Sequence, residues 1–586
     1  MKYDATRFST EFRLNTVTTS NQYGVELAEL AGGGFVAVWT SQGHSVAGRS
    51  IVGQIFDDNG VAQGDEFIIQ GEDSEQFQFP TVAGLADGGF SVFWASSSAI
   101  QGRRYDANGV ELPTLVRQSG TDGDIDNPNI LIYTSDVMGS GGISGRYLDD
   151  LDIIGTSDGG YTIGGHFYTG SNRLNDIGYY HYDADHPTGE WFGVGQFVQP
   201  NGTNIAANQG IRDLNQDQLA MASLSNGTMV SVWRNDSIGD AQIYARIVDS
   251  DSARTPTTIT NAFQVNTSLA GDPTDPEVTA LKGGGFVVTW HVLNDTNLDF
   301  VDVKSQLFSA SGQAVGPEVT VNTITASSQA FAKVAALADG GYVVTWQSFE
   351  VFGNSWGVYA RRFDSQGEPL DTNFFGGQFK VDSYANRSQT GPDVAATQDG
   401  GFTIAWTSEI QDGSGTGIFG QRYLAEFHGS RLADTLVDTG SDRLFGHNGD
   451  DVISGLSGSD FIEGGIGKDL IRGGSGRDEI YGGVGADTLI GGKGRDKISG
   501  GSGDDVIDGG KGFDKLKGGA GADQFLFSDG GDLIRDFGVA EDSIVANSAD
   551  VTAAFDSGDT ILTNTASGFS LVLENLTVDV DQLIFV

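Results

Sequence analysis

Apolar and polar residues alternate in short runs along the first 430 residues, and each run follows a turn that contains glycine. Alternation with a period of two predicts strands that bury one face. An apolar strand precedes each run, a strand that ends in a turn follows it, and a fourth strand closes most units. Seven runs resemble one another: GGGFVAVW ending at Trp39, DGGFSVFW at Trp94, DGGYTIGGH around Gly165, SNGTMVSVW at Trp233, GGGFVVTW at Trp290, DGGYVVTW at Trp346 and DGGFTIAW at Trp406.

The seventh unit runs into a different pattern before it has a fourth strand. The segment TEFRLNT at residues 10–16 has the pattern of a fourth strand, so the N-terminal end of the chain could complete the last unit and remove open sheet edges. We therefore expect a seven-bladed β-propeller over residues 1–427, closed by strand 10–16. The alternative is an elongated array of β-sandwich modules, which would not need a strand from the far end of the chain.

Three residue types inside these units have expected structural roles. The tryptophans that end the central strands should pack between blades. The aspartates of DDNG, DANG and DSQG should accept backbone hydrogen bonds in hairpin turns. The arginines of the third strands, such as Arg103, Arg104 and Arg362, should form ion pairs within blades.

From Gly446 the chain repeats every nine residues, as in GGSGRDEIY and GGVGADTLI. The eighth position of each unit is a large apolar residue. The sixth position is always aspartate, including the looser unit before Gly446: Asp442, Asp451, Asp460, Asp469, Asp478, Asp487, Asp496, Asp505, Asp514 and Asp523.

This spacing predicts a parallel β-roll over residues 428–526. Six glycine-rich residues form a turn, because glycine takes positive φ without steric cost, and three residues form a strand. Two units complete a coil of eighteen residues, so aspartates of the same parity stack in two rows. Stacked carboxylates repel one another unless a cation lies between them, and Ca²⁺ accepts about 6–8 oxygen ligands. We expect all ten aspartates to bind calcium ions.

The repeat resembles the RTX family of calcium-binding nonapeptide proteins, from about Val437 to the C-terminus. The resemblance implies several bound calcium ions and export by a type I secretion machinery. It also implies a secreted protein that is extracellular or associated with the cell surface. Short strands over residues 527–586 predict a β-rich cap, and the resemblance places an uncleaved secretion signal there. The alternative is an ordinary cap without an export role.

The N-terminal residues lack the apolar segment of a secretory signal peptide, and no stretch is apolar enough to span a membrane. The chain has no cysteine, which excludes disulfides and thiolate chemistry. Its net charge is −45, which opposes binding to nucleic acid and anionic membranes unless a local basic patch intervenes, and which also weighs against polyanionic glycans as substrates. A glycan or a cell-surface ligand is the expected partner of the propeller.

The third unit departs from the repeat, with GGHFYTG in place of the tryptophan strand and GYYHYDADH after it. Three interpretations are open: a divergent structural blade, a ligand site with aromatic platforms, or a catalytic site. In the catalytic case His166 or His181 would be the base and a tyrosine such as Tyr179 the acid. No GxSxG, HExxH or GxxxxGK[ST] motif supports hydrolase, zinc-protease or nucleotide chemistry.

The sequence thus favours a secreted, calcium-binding RTX protein that acts in extracellular recognition, adhesion or matrix interaction through its propeller. The alternative is an extracellular polysaccharide-degrading enzyme, a lyase or a hydrolase, with its site in the divergent third blade. The sequence does not decide whether the protein is an enzyme.

Overall fold

In the computed structural model, the described residues are 11–44, 48–73, 80–95, 99–112, 130–133, 152–155, 161–169, 174–182, 215–236, 241–249, 257–258, 260–268, 271–293, 301–325, 327–350, 354–370, 377–384, 387–398, 400–423, 426–428, 435–437, 443–526, 530–546, 551–565, 567–578 and 583–585. Every secondary-structure element in these ranges is a β-strand, which confirms the predicted all-β fold. No helix in these ranges is long and apolar enough to cross a membrane. The chain divides into two compact units, Met1–Tyr423 and Leu424–Val586.

The first unit contains seven small antiparallel sheets, numbered here in chain order. Its first strand, β1 (Phe12–Arg13), belongs to sheet 7. The other strands are β2 (Gln22–Glu29), β3 (Phe35–Ser41), β4 (Arg49–Phe56) and β5 (Ala62–Asp73) in sheet 1; β6 (Thr81–Gly84), β7 (Phe90–Ala95), β8 (Ala99–Tyr105) and β9 (Ile130–Tyr133) in sheet 2; β10 (Asp152–Gly155), β11 (Tyr161–Thr169) and β12 (Leu174–Tyr182) in sheet 3; β13 (Asn215–Ser223), β14 (Thr228–Asp236), β15 (Gln242–Asp249), β16 (Thr257–Thr258) and β17 (Phe263–Gln264) in sheet 4; β18 (Pro273–Ala280), β19 (Phe286–Leu293), β20 (Val301–Phe308) and β21 (Ala314–Thr320) in sheet 5; β22 (Gln329–Ala336), β23 (Tyr342–Glu350), β24 (Ser355–Phe363) and β25 (Phe379–Lys380) in sheet 6; and β26 (Gln389–Ala396), β27 (Phe402–Glu409) and β28 (Thr416–Tyr423) in sheet 7.

Six of these sheets have four or five strands and form a propeller-like arrangement. Sheet 3 has three strands among the described residues, so the predicted count of seven blades stays a prediction. β1 pairs antiparallel with β28, with Phe12 opposite Gly420 and Arg13 opposite Phe419. The fourth strand of sheet 7 therefore comes from the N-terminal end of the chain, about 400 residues away from its partner.

Local chemistry explains why these hairpins form. In sheet 6, the turn between β22 and β23 puts Gly340 at φ 86°, a value that glycine adopts without steric cost. The N–H of Leu337 donates to the Gly341 carbonyl at 2.9 Å and closes this turn. In the hairpin after β24, Asp364 Oδ1 accepts the N–H groups of Gln366 and Glu368. The expected turn role of the aspartates is confirmed there, and Asp57 and Asp106 make the same pair of bonds.

The tryptophans of the central strands are buried between neighbouring sheets, as expected. Trp94, for example, belongs to one apolar cluster with residues of sheets 1 and 2. Trp39, Trp94, Trp233, Trp290, Trp346 and Trp406 are fully buried. The indole of Trp346 donates to Gln329 Oε1 on the preceding strand at 2.9 Å, which satisfies its polar atom inside the core. The expected arginine ion pairs also form: Arg103 with Glu111, Arg104 with Asp87 and Arg362 with Asp339.

The second unit is a parallel β-solenoid over about residues 435–545, followed by further strands. Its ten-stranded sheet contains β29 (Glu426–His428), β31 (Arg443–Asn448), β33 (Phe461–Ile466), β35 (Glu479–Val484), β37 (Lys497–Ser502), β39 (Lys515–Ala520), β41 (Gly531–Ile534), β43 (Val551–Asp556), β44 (Asp559–Asn564) and β45 (Ser570–Leu573). Its eight-stranded sheet contains β30 (Thr435–Val437), β32 (Val452–Ser454), β34 (Leu470–Gly476), β36 (Thr488–Gly494), β38 (Val506–Gly512), β40 (Gln524–Leu526), β42 (Ser543–Val545) and β46 (Ile584–Phe585).

The predicted eighteen-residue coil is visible in the strand register. Ile480 lies opposite Ile498, and Leu489 lies opposite Ile507, each in the neighbouring parallel strand. These side chains are fully buried and belong to one apolar column between the two sheets. At the C-terminal end, β43, β44 and β45 pair antiparallel and their buried residues, such as Leu562 and Leu571, join the same core.

Candidate calcium site

Two rows of buried aspartates run along the solenoid. Each aspartate lies directly before a strand: Asp478 before β35 and Asp487 before β36. From Asp451 to Asp523 the row side chains are 0–3% exposed. Asp442 lies outside the described residues. One row consists of Asp460, Asp478, Asp496 and Asp514, and the other of Asp451, Asp469, Asp487, Asp505 and Asp523.

From Asp469 onwards, one carboxylate oxygen of each row aspartate accepts a hydrogen bond from within its row. The backbone N–H of Asp478 donates to Asp496 Oδ1 at 2.9 Å, and that of Asp487 donates to Asp505 Oδ1 at 2.9 Å. The same bond joins aspartates eighteen residues apart along both rows. These bonds fix the orientation of each carboxylate and leave its second oxygen for another partner.

The second oxygen is buried and has no hydrogen-bond partner in six of the aspartates: Asp469, Asp478, Asp487, Asp496, Asp505 and Asp514. A buried carboxylate oxygen without a partner is costly. A glycine lies beside this second oxygen. At Gly491, for example, an added Cβ would lie 2.7 Å from Asp496 Oδ2 and 2.6 Å from the Gly509 carbonyl oxygen. The missing side chain of this glycine thus leaves a space that a carboxylate and a carbonyl oxygen both face.

This arrangement fits a calcium ion, since Ca²⁺ is bound by carboxylate and carbonyl oxygens in irregular geometry. No group of three or more His, Cys, Asp or Glu side chains that could hold a metal occurs in the described ranges. Each candidate position therefore offers few carboxylates and would depend on backbone carbonyls. When bound, calcium would supply the positive charge that the rows lack.

Without cations, burial opposes ionisation of the rows. Burial raises the pKa of Asp469 to about 6 and the pKa values of Asp496, Asp505 and Asp514 to about 7. Bonds from backbone N–H groups lower these pKa values only in part. The ionised carboxylates of the rows therefore need bound cations to balance their charge.

Both rows continue further than the sequence analysis predicted. The N–H of Asp514 donates to Asp532 Oδ1 at 3.1 Å, and that of Asp523 donates to Asp542 Oδ1 at 3.0 Å. Asp532 follows Asp514 by eighteen residues, but its unit, FSDGGDLIR, does not begin with a pair of glycines. The step to Asp542 is nineteen residues, so the fixed spacing misses it. Asp542 Oδ2 accepts the N–H of Gly538, and both its oxygens are therefore bonded.

The catalytic candidates of the third unit lie in sheet 3, and their side chains are outside the described part of the structure. His166 is on β11, opposite Ile177, while Tyr179 and His181 on β12 lie opposite Gly164 and Thr162. This register puts all three candidates on one face of the sheet. Gly164 packs on that face against Leu219 and Met221 of sheet 4, so this part of the face is an interface between sheets.

A charged cluster on the innermost strands of the propeller was not predicted. Lys333 Nζ lies 2.8 Å from Glu277 Oε1 and 3.6 Å from Glu26 Oε1, and these groups belong to sheets 6, 5 and 1. Asp393 and Asp152 complete this cluster, which we call the central charge cluster. Their Oδ2 atoms accept the N–H groups of Leu27 and Met221 in neighbouring sheets, each at 2.6 Å.

Burial raises the pKa of Glu26 to about 8, although Lys333 lowers it in part. Burial also raises the pKa of Asp152 to about 7 and that of Asp393 to about 6. For Lys333, burial lowers the pKa, but attraction to Glu26 and Glu277 outweighs this effect and raises the pKa well above its usual value. The lysine is therefore the permanent cation of the cluster.

The sequence contains a signal for this cluster. All five members lie thirteen residues before the same position of the central strand of their unit, which is a tryptophan in four units and Gly165 in the third. Four of their strands carry or adjoin a β-bulge at this point, for example between Ala330 and Lys333 and between Thr390 and Asp393. Comparing the units position by position would have found it.

Comparisons with known proteins identify the repeat. Residues 436–471, 463–498 and 499–534 match the family model of the RTX calcium-binding nonapeptide repeat (4 copies). No curated protein matches the chain significantly.

Several solved structures resemble the chain weakly. A protein of unknown function from Dyadobacter fermentans has 11% identity and a TM-score of 0.38, with 71% of this chain and 99% of that chain covered. The α-L-arabinanase of Penicillium chrysogenum has 10% identity and a TM-score of 0.36, with coverages of 59% and 93%. The extracellular lipase LipA of Serratia marcescens has 20% identity and a TM-score of 0.16, with coverages of 27% and 39%. We draw no conclusion about activity from scores below 0.5.

Two findings thus agree on the second unit: the family model matches the residues that form stacked coils of eighteen residues with buried aspartates. Residues 436–534 are RTX calcium-binding nonapeptide repeats, and the same chain carries a propeller-like arrangement of small sheets in its N-terminal region.

Proposed function

We propose that the chain is a secreted protein whose solenoid binds several calcium ions through its aspartate rows and whose propeller acts in extracellular recognition, adhesion or matrix interaction. The observation that carries the calcium assignment is the set of six buried Oδ2 atoms without a partner, each in a row at a fixed spacing. The proposed ligands are Asp442, Asp451, Asp460, Asp469, Asp478, Asp487, Asp496, Asp505, Asp514 and Asp523.

A calcium titration of the full chain tests this assignment. Equilibrium dialysis should show several ions bound per chain, and circular dichroism should show a gain of β-structure. Asp478→Asn with Asp487→Asn should reduce the number of ions bound. Glu463→Gln is the matched control, because it removes one negative charge from the outer face of β33. Equal calcium uptake by the double variant and the native chain would contradict the assignment of the row aspartates as calcium ligands.

We also propose that the propeller has seven blades within residues 1–427 and that strand 10–16 closes it. Contacts between the first strands of the sheets support this count. They run from β2 to β6, then to β10, β13, β18, β22 and β26, and from β26 back to β2. The three strands of sheet 3 fit into this circle as the remaining blade.

For the remaining residues we propose a cap over 527–586, after a solenoid over 428–526, with the type I secretion signal in the cap. The RTX repeats support this, since proteins with such repeats are typically secreted. The proposal predicts that the full chain is exported with its N-terminus intact when it is produced together with a type I secretion machinery. Export that is unchanged after removal of residues 527–586 would contradict it.

The competing hypothesis is an extracellular polysaccharide-degrading enzyme with a site in sheet 3. The common sheet face of His166, Tyr179 and His181 is compatible with it. If the full chain cleaves any member of a polysaccharide panel, His166→Ala with His181→Ala should abolish cleavage. Retention of a polysaccharide without cleavage would favour recognition.

A further inference from the structure

The outer surface of the solenoid differs in charge from the rest of the chain. Residues 446–526 contain fourteen acidic and nine basic residues. Nine of the acidic residues are the row aspartates from Asp451 to Asp523, which are buried. Five acidic and nine basic residues therefore remain outside the rows. The solenoid surface is cationic in a chain whose net charge is −45.

Five of these basic residues lie on the ten-stranded sheet or in the turns that lead into it, and we call this surface the cationic face. It consists of Arg477, Arg495, Lys497, Lys515 and Lys517, which are all exposed. Lys497 on β37 and Lys515 and Lys517 on β39 alternate with buried residues, so the strand alternation directs these three side chains outward, while Arg477 and Arg495 lie in the turns directly before β35 and β37. Lys497 lies opposite Lys515 in the register. Neighbouring strands are about 4.8 Å apart, so cations of successive coils follow one another at a regular distance.

Most of this positive charge is not neutralised by neighbours. Lys497 pairs with Glu479 and its Nζ donates to the Tyr481 hydroxyl at 2.6 Å. Within the described residues no carboxylate pairs with Arg477, Arg495, Lys515 or Lys517. Such a group of like charges on adjacent strands is unfavourable on its own, because like charges directly opposite one another repel.

Aromatic rings lie among these cations. Phe513 is 43% exposed, although it is a large apolar side chain, and the Arg495 guanidinium carbon lies 5.9 Å from the centre of its ring. Tyr481 lies on the strand before Lys497, with Lys497 Nζ 5.1 Å from its ring centre. The cationic face therefore offers flat apolar surfaces beside its charges.

We propose that the cationic face binds a linear anionic polysaccharide, with its carboxylate or sulfate groups on the lysines and arginines and its sugar rings on Phe513 and Tyr481. The charge of the face is complementary to such a polymer, and the regular spacing of the coils suits a chain of repeating units. Nucleic acid fits less well. Double-stranded DNA carries about one charge per 1.7 Å, which is much denser than the spacing of about 4.8 Å between successive coils of the cationic face.

This inference rests on the calcium binding proposed above, which also makes it conditional on calcium. Without calcium, the coils that align the lysines of the cationic face are not held together, and bound calcium removes this obstacle. Linkage then requires the reciprocal effect: the anionic polysaccharide raises the calcium affinity by the same factor as calcium raises the polysaccharide affinity.

The test uses the full chain with carboxymethyl-dextran, dextran sulfate and neutral dextran as immobilised probes. We expect calcium-dependent binding of one or both anionic probes, no binding of neutral dextran, and weaker binding at higher salt. Lys515→Gln with Lys517→Gln should weaken binding about tenfold, since two exposed ion pairs to the polymer are lost. Lys493→Gln with Lys511→Gln is the matched control, because these exposed lysines lie on the eight-stranded sheet.

Calcium uptake and circular dichroism of each variant are measured in parallel. Normal calcium uptake with no binding of either anionic probe, or with equal loss in both lysine pairs, would overturn the inference but not the calcium assignment. Absent calcium uptake by the native chain would overturn both. Tighter binding of a DNA duplex than of the anionic dextrans would show that the ligand of the cationic face is nucleic acid and not a polysaccharide.

Discussion

At the scale of single residues, the two units differ in what balances the charge of their buried carboxylates. In the propeller, Glu26, Glu277 and Asp393 surround the ammonium group of Lys333. In the solenoid, the Oδ2 atoms of residues such as Asp487 have no partner from the chain. The propeller therefore contains its own counter-charge, while the solenoid depends on ions from solution.

The Lys333→Met variant should be less stable than the native chain, because it leaves Glu26 and Glu277 without their cation. Removing one partner of a buried pair costs about 3–5 kcal/mol. Lys333 is 27% exposed, so we expect a smaller loss of about 2 kcal/mol in the free energy of unfolding. Tryptophan fluorescence measures it, because all eight tryptophans precede residue 424. Lys282→Met, at an exposed lysine, should have little effect.

The propeller should lose stability as pH rises. The folded pKa values of Asp152 and Glu26 are raised to about 7 and about 8, from 3.8 and 4.5. Their contribution is fully present below about pH 4 and disappears as pH rises through 7 to 8. In saturating calcium, the tryptophan-monitored unfolding free energy should fall by roughly 3–5 kcal/mol between pH 5.5 and pH 8.5, since each pKa unit corresponds to about 1.4 kcal/mol per group. Asp152→Asn should flatten this dependence, and a rise with pH would contradict the argument.

At the scale of elements, the eighteen-residue coil and its glycines follow directly from the sequence. The nonapeptide spacing predicted the stacking of Ile480 on Ile498, which the register confirms. Asp542 was missed because the last step is one residue longer. The central charge cluster was missed for another reason: its members are far apart in sequence, and only the circular arrangement of the sheets brings Lys333 near Glu26.

A methyl group at Gly491 should damage one calcium position. Its Cβ would lie 2.6 Å from the Gly509 carbonyl oxygen and 2.7 Å from Asp496 Oδ2, the two oxygens that face the candidate site. We expect Gly491→Ala to lower the number of bound ions and the calcium affinity in equilibrium dialysis. Gly531→Ala is the control, because its Cβ would meet only the Phe513 ring at 3.5 Å. Equal calcium binding by both variants would count against this position.

The strand at the N-terminal end should contribute to the stability of the propeller. Removal of residues 1–16 takes away β1 and exposes the edge of β28, whereas removal of residues 1–9 leaves the pairing of Phe12 with Gly420 intact. We expect a lower midpoint of tryptophan-monitored thermal unfolding only for the longer deletion. Identical midpoints would show that this pairing does not matter for stability.

At the scale of the whole molecule, one chain combines a unit with internal charge compensation and a unit that requires cations. Calcium removal should therefore affect them differently. With a chelator, we expect the tryptophan-monitored transition of the propeller to persist, while the β-signal of the solenoid in circular dichroism is lost and returns with added Ca²⁺. A loss of both signals together would contradict this division.

The hydrogen bonds along the aspartate rows have a direction. The backbone of each coil donates to a carboxylate of the following coil, as from Asp496 to Asp514, and the last donors, Asp514 and Asp523, use Asp532 and Asp542. Backbone bonds run the opposite way, as from the N–H of Lys497 to the Asp478 carbonyl oxygen, so neighbouring coils hold one another in both directions. The N–H groups of Asp514 and Asp523, however, depend on carboxylates that lie beyond residue 526. Removal of residues 527–586 should therefore leave two buried N–H groups without acceptors and destabilise the last coils of the solenoid first.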